Sequence, residues 1–446
     1  VMILKKNRPL NEPVLIIDAS KSFVKEGKQN VLQEKDIAKI VDTYVERREE
    51  AGYSHLATQQ EIKDNEYNLN IPRYIETIEE VIPHDVDAHL YGGIPLAQIE
   101  KLTVLHDVAK DVLYDSFREI RLGYVELVDS IEDLTDKVLQ HDQVQNRIDR
   151  LTEVTQSYMD KYWERLKSVN DVNEIEPLKD DMLTEIKHLL EQFKHINTYD
   201  GYQIIAELWE TMLAKDTEKI ANSGFYTAGR TREPNMVTKG QGSNKRLEQD
   251  GWVGAIVPNE LILQKLYTEE ISELELKKES VAAINEEINE LVEAAKVEES
   301  EEADALGDAL NAKEDDFTIT AVRAELKKAE KGTNEYALLE KVRNLLSERT
   351  SLNKAVREKE KSLNEQVEER ILKLTDEEID ELMYQKWFGD LTDKMTRLIE
   401  TPLKNELDQL NMLKERYADT LETIEQESKS LEKKFEAMLS ELVVTE

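Results

Sequence analysis

The sequence predicts a mainly α protein: a helical bundle, then an antiparallel coiled-coil arm, then a long C-terminal coiled-coil helix. Three observations predict it. Apolar residues recur at helical spacing over long stretches, two separate regions carry heptads, and the charge content is high for a compact sheet protein. The chain has 446 residues, 39% hydrophobic and 35% charged, with a formal charge of −36 and no cysteine. That length allows roughly two to four ordinary domains, and the composition favours long solvated helices. Without cysteine there is no disulfide, no thiolate metal ligand and no cysteine nucleophile, which fits a cytoplasmic protein. No apolar run approaches the roughly 20 residues that span a bilayer, and no secretory signal opens the chain, so no membrane role is expected. The excess of acid sets a limit on partners. Such a surface repels DNA unless basic groups are concentrated, so any DNA contact should be indirect or confined to a local patch.

The first elements are exceptions to the helical class. Val1-Met2-Ile3-Leu4 and Val14-Leu15-Ile16-Ile17 are short continuous apolar runs, separated by a turn at Lys5-Lys6-Asn7-Arg8-Pro9. Such runs suit strands buried on both faces. Two of them cannot fold alone, so they are expected to be the last strands of a sheet whose other strands lie in a missing N-terminal domain. Ile37, Ile40, Val41, Tyr44 and Val45 then share one face of a helix that Gly52 is placed to stop. Tyr67 to Tyr74, and Ala88 to Pro95 with its paired glycines, are expected to be ordered loops.

From about Ile99 to Ile220 the pattern is helical almost throughout. Ile99, Leu102, Val108, Leu113 and Phe117 line one face, and Val144, Ile148, Leu151, Tyr158, Tyr162 and Leu166 another. Met182, Ile186, Leu189, Phe193 and Ile196 follow, with Pro177 near a first-turn position, and then Ile205, Leu208, Trp209 and Met212. This is a helical-bundle signature. Between residues 223 and 258 periodicity disappears, leaving a long glycine-rich loop that is basic relative to its surroundings.

Heptads come next. Leu274, Val281, Ile288 and Ala295 recur every seven residues, with Ile284 and Leu291 at the alternate positions. A second run holds Leu338, Val342, Leu345, Leu352, Val356 and Leu363, interrupted by Arg349 and Lys359. The acidic, turn-prone segment Val297 to Asp316 is expected to be the tip of an antiparallel arm. Thr375 and Glu378 have the spacing of a capping box for a helix ending near Trp387-Phe388-Gly389. The last helix, starting after Pro402, carries Leu403, Leu407, Leu410, Tyr417, Leu421, Ile424, Leu431, Phe435, Met438 and Leu442 in steps of four and three. Lys414 and Ser428 are its polar seam positions. A seam this long must be buried on another helix, belonging to the arm, a second copy or another protein.

Tests for chemistry yield little. Gly240-Gln241-Gly242 resembles part of a nucleotide fingerprint but follows no predicted strand, and no phosphate-binding loop is present. His84, His89 and His106 lack metal-ligand spacing and read as surface or packed histidines, so no metal is expected. Acid pairs such as Glu377-Glu378 suit helix N-termini. Trp163, Trp209, Trp252 and Trp387 are too dispersed for a stacking platform and read mostly as core. The candidate nucleic-acid element is the 223–258 loop. Arg230, Arg232, Lys239, Lys245 and Arg246 would neutralise phosphates there, with Asn235 or Gln241 reaching a base edge. A solvated loop, or one folded on a neighbouring subunit, is the competing reading.

At several places the residues resemble the modification subunit of type I restriction-modification systems. The opening runs, with Asp18-Ala19-Ser20, look like the last strands of that family's α/β methyltransferase sheet. Tyr67-Asn68-Leu69-Asn70-Ile71-Pro72-Arg73-Tyr74 resembles a signature just downstream and is the most specific match. Asp87 to Pro95, and the block from Gly229 to Val237 and on to Asp250-Gly251-Trp252, are also similar. The resemblance implies an S-adenosylmethionine-dependent adenine-N6 methyltransferase as the parent protein, assembled as two modification subunits around one specificity subunit, with a motor-nuclease restriction subunit. The family's cofactor glycines and its Asn-Pro-Pro-aromatic motif have no counterpart here. No catalytic or cofactor residue is carried over, and a protein of this sequence is expected to be inactive alone.

The expected organisation is a methyltransferase remnant over 1–95, a helical domain over 96–260, the arm over 261–375 and partner-docking helices over 376–446. By resemblance, the seam from Leu403 to Leu442 is the surface that docks on the helical spacers of the specificity subunit. DNA is then met indirectly. The alternative is an acidic coiled-coil scaffold or adaptor unrelated to DNA modification.

Overall fold

The computed structural model describes residues 2–6, 9, 11–76, 83–239, 245–297 and 300–441. It is mostly helical, with four small antiparallel sheets among the described residues. The strands are β1 (Val14–Ile17), β2 (Val24–Glu26), β3 (Gln29–Val31), β4 (Ser54–Ala57), β5 (Ile94–Pro95), β6 (Phe117–Arg121), β7 (Tyr124–Leu127), β8 (Arg232–Lys239) and β9 (Arg246–Gly254). The helices of the first half are α1 (Glu34–Glu46), α2 (Gln59–Asp64), α3 (Val86–Tyr91), α4 (Leu96–Ile99), α5 (Thr103–Val108), α6 (Lys110–Asp115), α7 (Ile131–Leu139), α8 (Asp142–Lys167), α9 (Ile175–Leu190) and α10 (Thr198–Leu208). Those of the second are α11 (Ala214–Ser223), α12 (Phe225–Gly229), α13 (Asn259–Leu266), α14 (Thr268–Ala295), α15 (Glu301–Leu306), α16 (Ile319–Lys328), α17 (Asn334–Ile371), α18 (Asp376–Phe388), α19 (Leu391–Arg416) and α20 (Leu421–Glu441). They form two compact units: Val1–Lys167 with Asp171–Lys215 and Trp387–Glu446, and Ser168–Asn170 with Asp216–Lys386.

In the first unit the opening differs from expectation. Met2 to Lys5 form no strand, and Met2, Ile3 and Leu4 are exposed. Among the described residues no strand runs beside them, and without a ladder an apolar run has no reason to extend. Val14–Ile17 is a strand, but it pairs antiparallel with β4, Leu15 opposite Leu56. Only Ile16 of the four is buried, so this is a half-buried ribbon. Its core is Ile16, Ala57, Tyr74 and Ile75, with Ile71 packed on them. The Tyr67–Tyr74 segment is therefore the cover of that core: the Tyr74 hydroxyl donates to the Asn68 carbonyl at 2.7 Å and closes the loop on itself.

The apolar stripe of α1 is a second correction. Ile37, Val41, Tyr44 and Val45 are exposed, while Asp36 and Thr43 are buried. The helix docks on α10 by its polar side instead: Lys35 pairs with Asp200 at 2.9 Å, and Asp42 takes the Tyr199 hydroxyl at 2.9 Å and the Lys187 ammonium. It ends at Glu46, because Arg47 adopts the left-handed conformation (φ 52°) and caps it; Gly52 (φ 73°) serves the turn into β4. Ala88 to Tyr91 are helical within α3, and only Gly92 and Gly93 (φ 75° and 90°) break the chain there, ahead of β5.

The helical reading also fails at Phe117. It lies in β6, which with β7 and β5 forms a three-stranded sheet in the order β5-β7-β6. Gly123 (φ 79°) makes the turn, and Val125 and Leu127 alternate inward. Beyond it, the predicted bundle faces are buried, among them Val144, Leu151, Tyr158, Tyr162 and Leu166 on α8 and Met182 and Ile186 on α9. Helix α10 continues through a π turn, Trp209–Leu213, into α11.

In the second unit α14 and α17 run antiparallel, since Glu273, Lys278 and Glu287 meet Lys359, Glu360 and Lys341 in turn. Leu274, Ile284, Ile288 and Ala295 face Val342, Leu345, Val356 and Leu363 across the pair, all buried. The two polar interruptions have partners: Lys359 reaches Glu273 at 3.0 Å, and Arg349 grips Asp316 at 2.8 Å and 3.2 Å. The far end is not a polar turn. It holds α15, α16 and the Leu310–Phe317 bridge around Ala305, Leu306, Ala309, Phe317 and Val322. The many acids of this segment point outward and hide those few apolar side chains from a periodicity scan. The 223–258 stretch is likewise not all loop: its described residues contain α12 and the antiparallel β8–β9 pair, which periodicity misses because both its faces are largely polar. Helix α18 opens on the expected capping box, with Glu378 N–H donating to Thr375 Oγ1 (3.2 Å) and Thr375 N–H to Glu378 Oε2 (2.9 Å).

Candidate partner-docking surface

The C-terminal heptads occupy two helices, not one. Helix α19 begins at Leu391, before Pro402, and ends at Arg416; α20 begins at Leu421. The break divides the seam by environment. Leu403, Leu407, Leu410 and Tyr417 are buried, α19 lying against α5, α7, α8 and α10 in its own unit. Leu421, Ile424, Leu431, Phe435 and Met438 are exposed, Leu431 and Phe435 each at 63%. Leu442 lies outside the described residues.

Local hydrogen bonds account for the break. The Tyr417 hydroxyl accepts the Asp85 backbone N–H at 3.1 Å and the Gln98 side-chain amide at 3.2 Å, and its ring meets His89 edge-on at 4.9 Å. His89 in turn stacks on His84 at 5.1 Å, the two rings hydrogen-bonded at 2.9 Å, so these histidines pack as a pair. His106 bonds the Tyr114 hydroxyl at 2.9 Å. After Tyr417, Thr420 and Thr423 bond each other's backbone N–H through their hydroxyls, at 3.2 Å and 2.9 Å, and start α20 afresh. Helix α20 touches α3, and its apolar stripe is otherwise left exposed among the described residues. Each such side chain stands to gain about 1.5–3 kcal/mol on burial.

The basic candidates are spread over the second unit and each but one is engaged. Arg230 binds the Leu374 carbonyl (2.6 Å) and the Asp376 carboxylate. Arg232 lies over the Trp252 ring at 4.7 Å and donates to the Glu368 carbonyl at 3.1 Å. Lys239 pairs with Asp250 at 3.3 Å and Arg246 with Glu248 at 2.5 Å. Lys245 is exposed. Asn235 donates to the Asp250 carbonyl at 3.1 Å, while Gly240, Gln241 and Gly242 lie outside the described residues. Phosphates would have to compete with those carboxylates. A denser basic group lies in the first unit, where Arg147, Lys194 and His195 bond Asp107 and Arg150 lines the same cavity. Arg147 and Arg150, one turn apart on α8, were its only sequence signal. Among the described residues no cluster suited to a metal is present, and no helix is long and apolar enough to cross a membrane.

Comparison with known proteins bears on part of the chain. Residues 1–81 match the family model for N-6 DNA methylases. The chain is 32% identical over 117 residues to the methylase subunit of the type I restriction enzyme MpnII of Mycoplasma pneumoniae, covering 26% of this chain and 22% of the relative. It is 34% identical over 131 residues to the MjaVII methylase subunit of Methanocaldococcus jannaschii, and 32% over 137 residues to the MjaVIII subunit of the same organism. These matches cover 28% and 29% of this chain, and 20% and 21% of the relatives. The matched region thus spans about a fifth of the length of these relatives. No solved structure matches. The resemblance to the modification subunits of type I restriction-modification systems, read from the residues, therefore holds.

Proposed function

We propose, from this kinship with type I methylase subunits, that the chain is the subunit-assembly region of a DNA-adenine N6-methyltransferase and docks on the specificity subunit through α20. The observation that carries the reading is the exposed stripe Leu421, Ile424, Leu431, Phe435 and Met438, continuing a heptad whose first half is core. A helix with spacing of this kind is completed by another helix laid along it. The flanks of the stripe hold Glu425, Glu427 and Glu432 against Lys434. Two parallel copies would set Glu427 against Glu432, so a partner helix with basic flanks suits it better than a second α20. DNA is then reached through the specificity subunit, and the second modification subunit and the restriction subunit join the same assembly.

S-adenosylmethionine would belong to the parent protein. The exit of β1 does not fit it: β1 ends at Ile17 and leads through a turn, with Ser20 N–H bonded to Asp18 at 2.9 Å, into the β2–β3 hairpin. A strand running through a glycine turn into a helix N-terminus is what such a cofactor uses. No methyl-transfer step is assigned to these residues.

The test is co-purification with the specificity subunit encoded beside this chain, scored by light scattering. A stable complex that is lost when the chain is cut after Asp419 supports docking. A chain that ignores that subunit and forms only its own oligomer overturns it in favour of the scaffold.

A further inference from the structure

In a chain of formal charge −36, one cavity is rimmed by basic groups. It lies within the first unit, has a volume of about 340 Å³, and opens between α5, α8, the segment 192–196 and α19. Its floor is apolar, built from Val104, Val108, Val144, Ile196, Ile399 and Leu403. Its rim carries Arg147, Arg150, Lys194 and His195.

Asp107 holds that rim together. Its carboxylate accepts from Lys194 Nζ at 2.9 Å, from Arg147 Nη2 at 3.0 Å and from the His195 ring at 3.1 Å. His195 reaches it from a left-handed backbone (φ 68°), a conformation that costs energy outside glycine and persists where surrounding contacts hold it. One carboxylate thus offsets the repulsion among three groups without cancelling their charge. Arg150 follows Arg147 by one turn, donates to Gln192 at 2.7 Å and has its guanidinium 5.5 Å from the centre of the Phe193 ring. Two arginines and a lysine against one aspartate leave a surplus of two positive charges before His195 is counted. Glu406, behind Val104, is taken up by the backbone N–H groups of Val104 and Leu105 at 3.0 Å and 2.8 Å. Each guanidinium presents five N–H donors, and among the described residues each of these two makes one hydrogen bond to another side chain. Most of both forks is open.

We infer that this cavity binds a small phosphomonoester, its phosphate on the Arg147 and Arg150 forks beside Lys194 and its uncharged body on the apolar floor. Two adjacent guanidinium forks match a compact dianion with several oxygens better than a single carboxylate does. The volume lies at the lower end of the roughly 300–1,000 Å³ of ordinary ligand pockets, which suits a mononucleotide-sized ligand. A duplex backbone fits less well, because it tracks open basic stripes and has no use for a recessed apolar floor.

The test is isothermal titration of the full chain with adenosine monophosphate, and with adenosine as the phosphate-free control. The expected result is one-to-one binding of the nucleotide, with adenosine at least about tenfold weaker. Arg150→Gln should weaken the nucleotide about tenfold while thermal melting stays unchanged, that side chain being exposed; Lys194→Gln should weaken it about tenfold with a lower melting temperature, because Lys194 also pairs with Asp107. The inference is overturned if the nucleotide gives no heat, if adenosine binds equally well, or if neither variant alters affinity. It is also overturned if a nonspecific DNA duplex displaces the nucleotide and itself loses affinity in Arg150→Gln, which would make the rim a DNA-backbone contact.

Discussion

The phenol oxygen of Tyr417 accepts the backbone N–H of Asp85, 3.1 Å away across 332 residues of sequence. That hydrogen bond marks where the C-terminal heptad stops being core and becomes surface. Asp85 is itself fixed, since its carboxylate takes the Ala88 N–H at 2.8 Å and the Tyr124 hydroxyl at 3.1 Å. Tyr417→Phe keeps the ring and removes the acceptor, and should cost about 1–2 kcal/mol in urea denaturation. Tyr417→Ala adds a cavity and should cost about 3–5 kcal/mol. Equal effects of the two variants would show that the hydroxyl does not anchor the break.

The two halves of the seam should respond oppositely to the same substitution. Leu407→Asp places a charge in a buried site and should unfold the first unit. Leu421→Asp with Leu431→Asp lies on an exposed stripe and should shift stability by less than about 0.5 kcal/mol. The same pair should abolish capture of the specificity subunit. Retained capture with both aspartates in place would remove α20 from the interface.

Buried charge in the second unit gives a prediction about its stability. Lys386 donates to the Ile256 carbonyl at 2.7 Å and pairs with Asp216, whose side chain is only 5% exposed. Lys386→Met removes the cation and leaves a buried carboxylate, costing about 3–5 kcal/mol by chemical denaturation. Lys386→Met with Asp216→Leu should recover much of that loss. Additive losses in the double variant would mean that the pair is not coupled.

Two groups give pH signatures of opposite sign. His55 is hydrogen-bonded to Glu61 (2.9 Å) and to Glu49 (2.6 Å), and these carboxylates, Glu61 first, raise its pKa above the ordinary histidine value. Its contribution is full below that ordinary value, about 6.5, and fades as pH rises through the folded pKa. Glu61→Gln should lower the midpoint in an NMR titration of the ring. Asp107 is held well below the usual carboxylate range by hydrogen bonds from Lys194 and then Arg147. Its contribution is present above the ordinary aspartate value of about 3.9 and fades as pH falls toward the folded one. Melting temperature should therefore fall less steeply on acidification in Asp107→Asn than in the unaltered chain.

The sequence states a helix's apolar face but not what covers it. Leu403 and Leu431 are equivalent in the heptad, yet one is sealed and the other open, because cover is decided by elements hundreds of residues away. Ile37 and Val41 on α1 illustrate the same gap: the stripe is plain, and the helix docks by Asp42 on its other side. Sheet was hidden where strands are polar on both faces, as in Arg232–Lys239, and where one glycine turn at Gly123 separates short alternations. Local chemistry was easier to read, since the Thr375–Glu378 capping box involves neighbours along the chain. Beyond the Arg147–Arg150 spacing the Asp107 cluster was not legible, because α5, α8 and the 194–195 segment meet only in the fold.

The four residues between Arg416 and Leu421 also separate two kinds of mutational constraint. Changes in α19 are filtered by folding, since its apolar side chains fit the helices of the same unit. Changes in α20, whose apolar side chains are exposed, largely escape that filter, and under the docking proposed above they are judged by recognition of the partner. Under that proposal a lineage could alter Leu431 or Phe435 to follow a drifting partner at little cost to its own stability. The segment after Thr420 is the natural place to graft a new address onto an old scaffold.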